Sequence, residues 1–401
     1  MLQRWLFIPG FCYLVLVFAS GTWLRWQWYA PEWTVFNAGY LTHAHSHVAV
    51  LGWAFCMLCG LLFRYAIHWE RVPKTAFRIT MVLLHVSVIG MAVTFTWQGY
   101  GGWSIGFSTL HLLVGYAIAV FYFRYEIEEL PAALRNFYSA AVWWLVISTL
   151  GPWLLAFGPA MPSFWMDAGI EFYLHTQFNG WLTFGVLGLA LHYVHRRGGG
   201  LTSLTHLGFG MLLIGTLPAL IPMLDQAQIS PNIAIVGAAG SLLYAAGGII
   251  VAVPLIKMLV TASSVPEKGI MILSGGALLI KQIMLGIIAF PAVADAVMNY
   301  SFVVVGYLHL LLLGFISSAL LYGWVRFTGV KSDLPFTISL TAYLAGVGAM
   351  LILLLWFGAV QIFGLVPYLP VQLSLFVTAL IALFGSMGLL AKAVVNWAES
   401  T

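Results

Sequence analysis

Twelve stretches of this chain run for about twenty residues or more with almost no charge, at approximately 5–27, 43–66, 76–98, 103–124, 136–159, 168–193, 203–223, 232–260, 269–290, 300–325, 336–361 and 371–396. Crossing a bilayer as a helix takes about 20 apolar residues, so each stretch is a candidate span. In lipid the backbone must satisfy its own hydrogen bonds, which leaves helices and closed barrels, and these runs lack the alternation of barrel strands. The expectation is an all-α, polytopic membrane protein of twelve transmembrane helices, forming a single domain over 1–401. Composition agrees: 62% of residues are hydrophobic and 7% charged, where soluble proteins carry about a quarter charged. The first run follows Arg4 but is too long for a signal peptide and has no small-residue cleavage site before Arg25, so it is expected to be retained.

Cations set the orientation. With the N-terminus in the cytoplasm, Arg4, Arg64, Arg71, Lys74, Arg78, Arg124, Arg135, Arg196, Arg197, Lys257, Lys268, Arg326, Lys331 and Lys392 all fall on the inner side, only Arg25 falls outside, and Lys281 lies within a span. That bias is what the positive-inside rule expects, and it puts both termini in the cytoplasm. The net charge of +4 then reflects topology and not nucleic-acid binding. Cys56 and Cys59 form a C-x-x-C, a metal or redox spacing in other settings, but with Cys12 they sit inside apolar runs and read as packing residues.

Connections are short, the longest being about 28–42, 159–168 and 362–370, so no extramembrane domain is expected. No internal repeat of the kind that marks the paired halves of a transporter is evident. Gly237, Gly240, Gly247 and Gly248 in the eighth span read as close-packing positions, since no Lys-Ser/Thr follows them. Trp26, Trp28, Tyr29, Trp33, Tyr100, Trp103, Trp165 and Tyr173 form an aromatic belt at the outer boundary.

Topology gathers the histidines. His43, His45 and His47 open the second span, His111 lies about 12 Å into the fourth at 1.5 Å per residue, and His175 and His309 come early in the sixth and tenth. All six fall in the outer half of the membrane. His85 lies near the middle of the third span, where a bond to a carbonyl or hydroxyl accounts for it. His68, His192, His195 and His206 flank cytoplasmic ends and read as solvated. Neutral imidazole is a common ligand of heme iron and copper, and a polar side chain at membrane depth is seldom kept without a partner, so the outer six point to a metal or heme. On a helix His43 and His47 share a face while His45 points roughly 200° away, so the three cannot converge unless the helix begins after His43. Glu171, four residues before His175, shares its face and is a candidate to bond a ligating imidazole from behind.

The segments His45-Ser46-His47-Val48-Ala49-Val50-Leu51-Gly52-Trp53, Tyr173-Leu174-His175-Thr176-Gln177-Phe178-Asn179-Gly180-Trp181 and Tyr307-Leu308-His309-Leu310-Leu311 resemble the helix-two, helix-six and helix-ten motifs of subunit I of the heme-copper oxidase superfamily. Together with 97–111, from Trp97 to His111, they look like a small divergent bacterial branch of it that lacks the full reactive-centre ligand set. The resemblance implies a cytochrome oxidase subunit I-like bundle in the bacterial cytoplasmic (inner) membrane. It also implies a low-spin heme b between His309 and either His47 or His45, because two histidines saturate an iron and suit it to electron transfer. His175 falls where that family supplies a copper ligand.

Departures from the pattern narrow the reading. Tyr307 stands where the proximal histidine of the oxygen-reducing heme belongs, the seventh span has no histidine pair at its outer end, and Asn179 replaces the tyrosine four residues after His175. Tyrosinate can ligate heme iron, so Tyr307 is kept as a candidate, and His43, His111 and His175 are candidates for copper or a second heme. An ordinary oxidase is not expected. The expected function is heme binding, with copper left open, in a membrane redox protein handling electrons or a small gas such as oxygen or nitric oxide. Its electrons have to come from another redox subunit, a soluble donor or quinol, since no c-type attachment motif or copper domain is present. The alternatives are a protein that stores, delivers or senses heme or copper without turnover, and a histidine-lined transporter. Lys281, deep in the ninth span beside Gln282, is a functional candidate by position, but no acidic chain accompanies it.

Overall fold

The computed structural model describes residues 1–156, 158, 161–260, 265–367 and 369–399. The expected ends of the fifth span, at 157 and 159, and the side chain of Lys257 lie outside the described residues. Among those described the chain is helical, with a lone β-bridge between Ile67 and Glu126. Ten helices are long and apolar enough to cross a membrane: α1 Arg4–Tyr29, α2 Ala38–Tyr65, α3 Lys74–Gln98, α4 Gly102–Tyr125, α5 Ala132–Leu155, α8 Pro231–Leu255, α9 Glu267–Ile287, α10 Ser301–Thr328, α11 Leu334–Ile362 and α12 Val371–Ala398.

The sixth and seventh expected spans fall short of that standard for visible reasons. The sixth, α6, runs through Ser163–His175, Thr176–Leu182 and Thr183–Arg196, but Glu171, His175, Gln177 and Asn179 dilute its hydropathy. The seventh, α7, is a regular helix only over Ser203–Thr216, and beyond Leu217 the chain tightens into a 3₁₀ turn at Pro218–Met223. Proline removes a backbone donor and clashes with the preceding turn, which accounts for that end.

Large apolar side chains cover much of the outside. On α3, Ile79, Val82, Val86, Ile89 and Val93 make one exposed stripe at helical spacing. A stripe with that spacing facing outward needs lipid, and the chain is a multi-pass membrane protein. Lipid gives helices little hydrophobic reason to associate, so close approach of small residues matters. The eighth-span glycines act this way: a Cβ on Gly247 would lie 2.8 Å from the Gly208 carbonyl of α7, and one on Gly215 of α7 would lie 2.8 Å from the Gly240 carbonyl.

α2, α6 and α10 meet at the centre of the bundle. The Trp53 indole donates to Ser317 Oγ at 2.7 Å, and the Tyr193 hydroxyl donates to the Gly323 carbonyl at 3.1 Å and to Tyr65 at 3.3 Å. Each of the three helices widens into a π-helical segment: Val48–Ala54, Thr176–Leu182 and Leu310–Ser317. Each segment starts on the residue after a histidine: His47, His175 and His309. Each also carries glycine five residues after that histidine and an aromatic at the sixth: Gly52-Trp53, Gly180-Trp181 and Gly314-Phe315.

The glycines do the same work three times. A Cβ on Gly52 would meet Tyr13 of α1 at 3.0 Å, on Gly180 Trp144 of α5 at 2.6 Å, and on Gly314 Ala277 of α9 at 2.8 Å. The chain thus holds a threefold local repeat and not paired halves. An extra residue in a turn releases carbonyls from the ladder, and side chains collect them. Thr183 Oγ1 donates to the Phe178 carbonyl at 2.7 Å and Ser318 Oγ to that of Leu313 at 3.1 Å.

The cation-rich face is pinned by ion pairs. Arg326 at the end of α10 bonds Glu267 at the start of α9, 2.8 Å apart, and His68 lies 3.3 Å from Glu70 and 3.7 Å from Glu129. Asp333 caps α11 by accepting from the Phe336 amide at 3.0 Å and also pairs with Lys392 of α12. The Lys392 bond, followed by the amide, holds the Asp333 carboxyl below its ordinary 3.8. A lowered carboxyl stabilises the fold above its unfolded-state value and loses that contribution as pH falls through the lower folded value. Acid melting in detergent is therefore expected to lose its Asp333 component below about pH 4, and Asp333→Asn to remove that component and its salt sensitivity. An unchanged acid limb in the variant would count against the pair.

Candidate heme and metal site

The ring nitrogens sort the histidines by availability. A carbonyl can only accept, so a nitrogen bonded to one carries the proton. His45 Nδ1–H donates to the Val17 carbonyl of α1 at 3.1 Å, shared with Ser20 Oγ at 3.1 Å. His47 Nδ1–H donates to the His43 carbonyl at 2.8 Å, and His309 Nδ1–H to the Val305 carbonyl at 2.8 Å. In all three the lone pair is left on Nε2, which takes no hydrogen bond among the described residues. This is the state in which imidazole binds a metal, with the other nitrogen fixed by a carbonyl behind it.

His111 has the opposite tautomer: its Nε2–H donates to Leu51 O, inside the first π-segment, at 3.0 Å. Nδ1 is the free nitrogen there. His175 is fully committed, with Nε2–H donating to the Thr216 carbonyl at 2.7 Å and Nδ1 accepting from Asn179 Nδ2 at 3.2 Å. The bond expected from Glu171 is not made; Asn179, one turn on the other side, takes that nitrogen. His85 is likewise committed, to Tyr13 at 2.9 Å and the Trp5 carbonyl at 2.9 Å, which is the bonded state expected for it.

α2 begins at Ala38, so His43 lies within the helix and is not released to the loop. The triplet therefore divides as helix geometry requires. His43 and His47 face α3 and the turn after it: His47 stacks on Phe95 with centroids 4.2 Å apart, and His43 meets Tyr100 edge-on at 4.7 Å. His111 is within electrostatic reach of His47. His45 turns the other way, packs against Gly21 of α1, and is within electrostatic reach of His309 and of Arg25. Two groups result, His45 with His309 and Arg25, and His47 with His43 and His111. Among the described residues no three His, Cys, Asp or Glu side chains converge as a ready metal cage.

A third polar group surrounds His175. Tyr244 of α8 donates to the Asn179 carbonyl at 2.7 Å, and the Lys281 ammonium lies 3.4 Å from the Tyr244 hydroxyl and 4.7 Å from its ring centroid. Tyr307 reaches toward Asn179, and its buried hydroxyl and Asn179 Oδ1 are left without a formed hydrogen bond. Sequence reading singled out Lys281 and Tyr307 but missed Tyr244, which no motif marks. Lys281 and Gln282 are fully buried, and no carboxylate pairs with the lysine among the described residues. A buried amine with no carboxylate partner is costly in either protonation state, so Lys281→Met is expected to melt in detergent at or above the wild-type midpoint. A lower midpoint would mean that its tyrosine contact outweighs that cost.

Cys56 and Cys59 are buried free thiols, as packing residues are. No protein-family model matches the chain, and no curated protein is similar to it.

Proposed function

We propose that the chain is a membrane redox protein of twelve helices that binds b-type heme, resembling subunit I of the heme-copper oxidases, and that His45 and His309 are the axial ligands. The observation that carries this reading is the matched state of two imidazoles on neighbouring central helices. Each has Nδ1–H tied to a carbonyl and Nε2 presented, and the π-segments near them on α2 and α10 pack against each other. That donor set fits a bis-imidazole heme. When bound between these two imidazoles, a heme would supply one-electron transfer. The chain's own part is to hold both rings in the ligating tautomer and to wrap them in α1, α2 and α10.

His47, which the resemblance leaves as the other axial candidate, faces away toward Phe95. With His43 and His111 it makes a loose group that does not converge as a cage, and copper there has only the chemistry of imidazole to support it. His175, with both nitrogens engaged, has none to offer copper in this arrangement. This favours carrying electrons over oxygen reduction.

The test is a reduced-minus-oxidised spectrum of membranes containing the chain, together with metal analysis of the purified protein. Sharp α and β bands of a low-spin b heme, with iron in the sample, are expected. A flat difference spectrum and no iron would sink the proposal and favour the transporter reading.

A further inference from the structure

At the cation-rich end of the bundle the starts of α1 and α3 and the end of α12 enclose a cleft of about 590 Å³, lined by Met1, Arg4, Trp5, Arg78 and Trp397. Arg4 and Arg78 are exposed, while Trp5 and Trp397 are half-buried. Each guanidinium carries five N–H donors in a planar fork. Neither is in an ion pair or a hydrogen bond among the described residues, and Glu399, two residues beyond Trp397, pairs with neither. Arg4 has only the ring of Trp5, whose centroid lies 5.9 Å from its guanidinium carbon. By contrast Arg326 has Glu267, Lys392 has Asp333, Arg135 donates to the Glu128 carbonyl and Lys74 to that of Trp69.

The wall of the cleft is held in place. His85 of α3 donates Nε2–H to the Trp5 carbonyl at 2.9 Å and stacks on the Trp5 ring with centroids 6.4 Å apart and planes at 7°, which ties the first turn of α1 to α3. An apolar track leads away from the cations. Arg78 shares a face of α3 with Val82, four residues on, and Ile79, Val82 and Val86 continue it as the exposed stripe. On α12 Val394, three residues before Trp397, is exposed, and so is Met387 two turns further back. Two unpaired cations and two half-buried indoles thus stand where exposed apolar helix faces begin, the level at which tryptophan meets headgroups. A free anion makes no use of the apolar track, whereas a phospholipid uses both parts.

We propose that Arg4 and Arg78, with Trp5 and Trp397, form a binding site for the phosphate of an anionic phospholipid whose acyl chains lie along the exposed faces of α3 and α12. The guanidinium fork takes phosphate oxygens in pairs, and basic pockets between helices on the cation-rich side of a membrane suit acidic headgroups. His45 packs against Gly21, about 24 Å along α1 from Trp5, so the site is independent of the heme reading.

The experiment titrates phosphatidylglycerol, phosphatidylcholine and inorganic phosphate separately into the detergent-purified full chain, reading bound lipid by native mass spectrometry and protection by thermal melting. The test variant is Arg4→Gln/Arg78→Gln, and Arg124→Gln/Arg135→Gln is the control that removes the same charge from the same face. Wild type is expected to hold phosphatidylglycerol in preference to phosphatidylcholine, the test variant to bind it at least about tenfold more weakly, and the control to match wild type. Unchanged phosphatidylglycerol binding in the test variant, or equal weakening in the control, would overturn the site in favour of diffuse attraction to a positive face. Protection by inorganic phosphate equal to that by the lipid would overturn the lipid assignment and make free phosphate the ligand. If the double variant does not accumulate, the single variants decide: weaker binding in either Arg4→Gln or Arg78→Gln supports the site, and wild-type binding in both overturns it.

Discussion

His309→Ala and His45→Ala should each abolish the low-spin heme bands of the purified protein, while His47→Ala should leave them in place. The difference follows from which way the rings face. Truncating either His45 or His309 removes one of the two Nε2 atoms offered from α2 and α10, and no other described histidine with a free Nε2 reaches that space: His47 stacks on Phe95, on the opposite face of α2. Ligand loss of this kind is all or none in the spectrum, since an iron left with one imidazole becomes high-spin or leaves. His47→Ala should instead lower any copper content, because it takes away the central member of the group with His43 and His111. Bands that persist in His309→Ala, or vanish in His47→Ala with His45→Ala unaffected, would reverse the assignment.

Gly180→Val is expected to be the most damaging change at the three repeated glycines. The first added carbon already falls 2.6 Å from Trp144 Cγ and 2.7 Å from its Cβ, against a buried indole. Overpacking a filled site costs typically about 1–3 kcal/mol, and β-branching adds bulk where α6 packs on α5. The equivalent alanine changes give a ranking: Gly180→Ala worst, then Gly314→Ala with its contact at 2.8 Å, then Gly52→Ala at 3.0 Å. Melting midpoints in detergent check the order. Near-wild-type melting of Gly180→Val would show that Trp144 moves aside freely and that the repeated glycine is not needed for helix approach.

Sequence reading located the helices well because hydropathy is a long-range average. Ten of the expected runs reappear as apolar helices with ends shifted by a few residues. α6 and α7 are the informative shortfalls: the first is diluted by the polar residues around His175, and the second is cut by Pro218.

The placing of the six histidines in one half of the membrane is an expectation from topology, while the opposed faces of His45 and His47 followed from helical pitch and are what the structure has. Which nitrogen of each ring is free could not be read, because it depends on carbonyls far away in sequence, such as Val17 for His45 and Thr216 for His175. The three π-segments were also hidden, since their sequence mark is only a histidine, a glycine five residues on, and an aromatic. Tyr244, the partner of Lys281, is an ordinary tyrosine in a glycine-rich run until α6 and α9 are packed on either side of it.

The central claim is that this membrane bundle holds a b-type heme between His45 and His309. It is met most directly by the pyridine hemochrome spectrum of the purified protein, quantified against the chain. The account predicts protoheme at one or more per chain, whereas a properly folded preparation with none would contradict it.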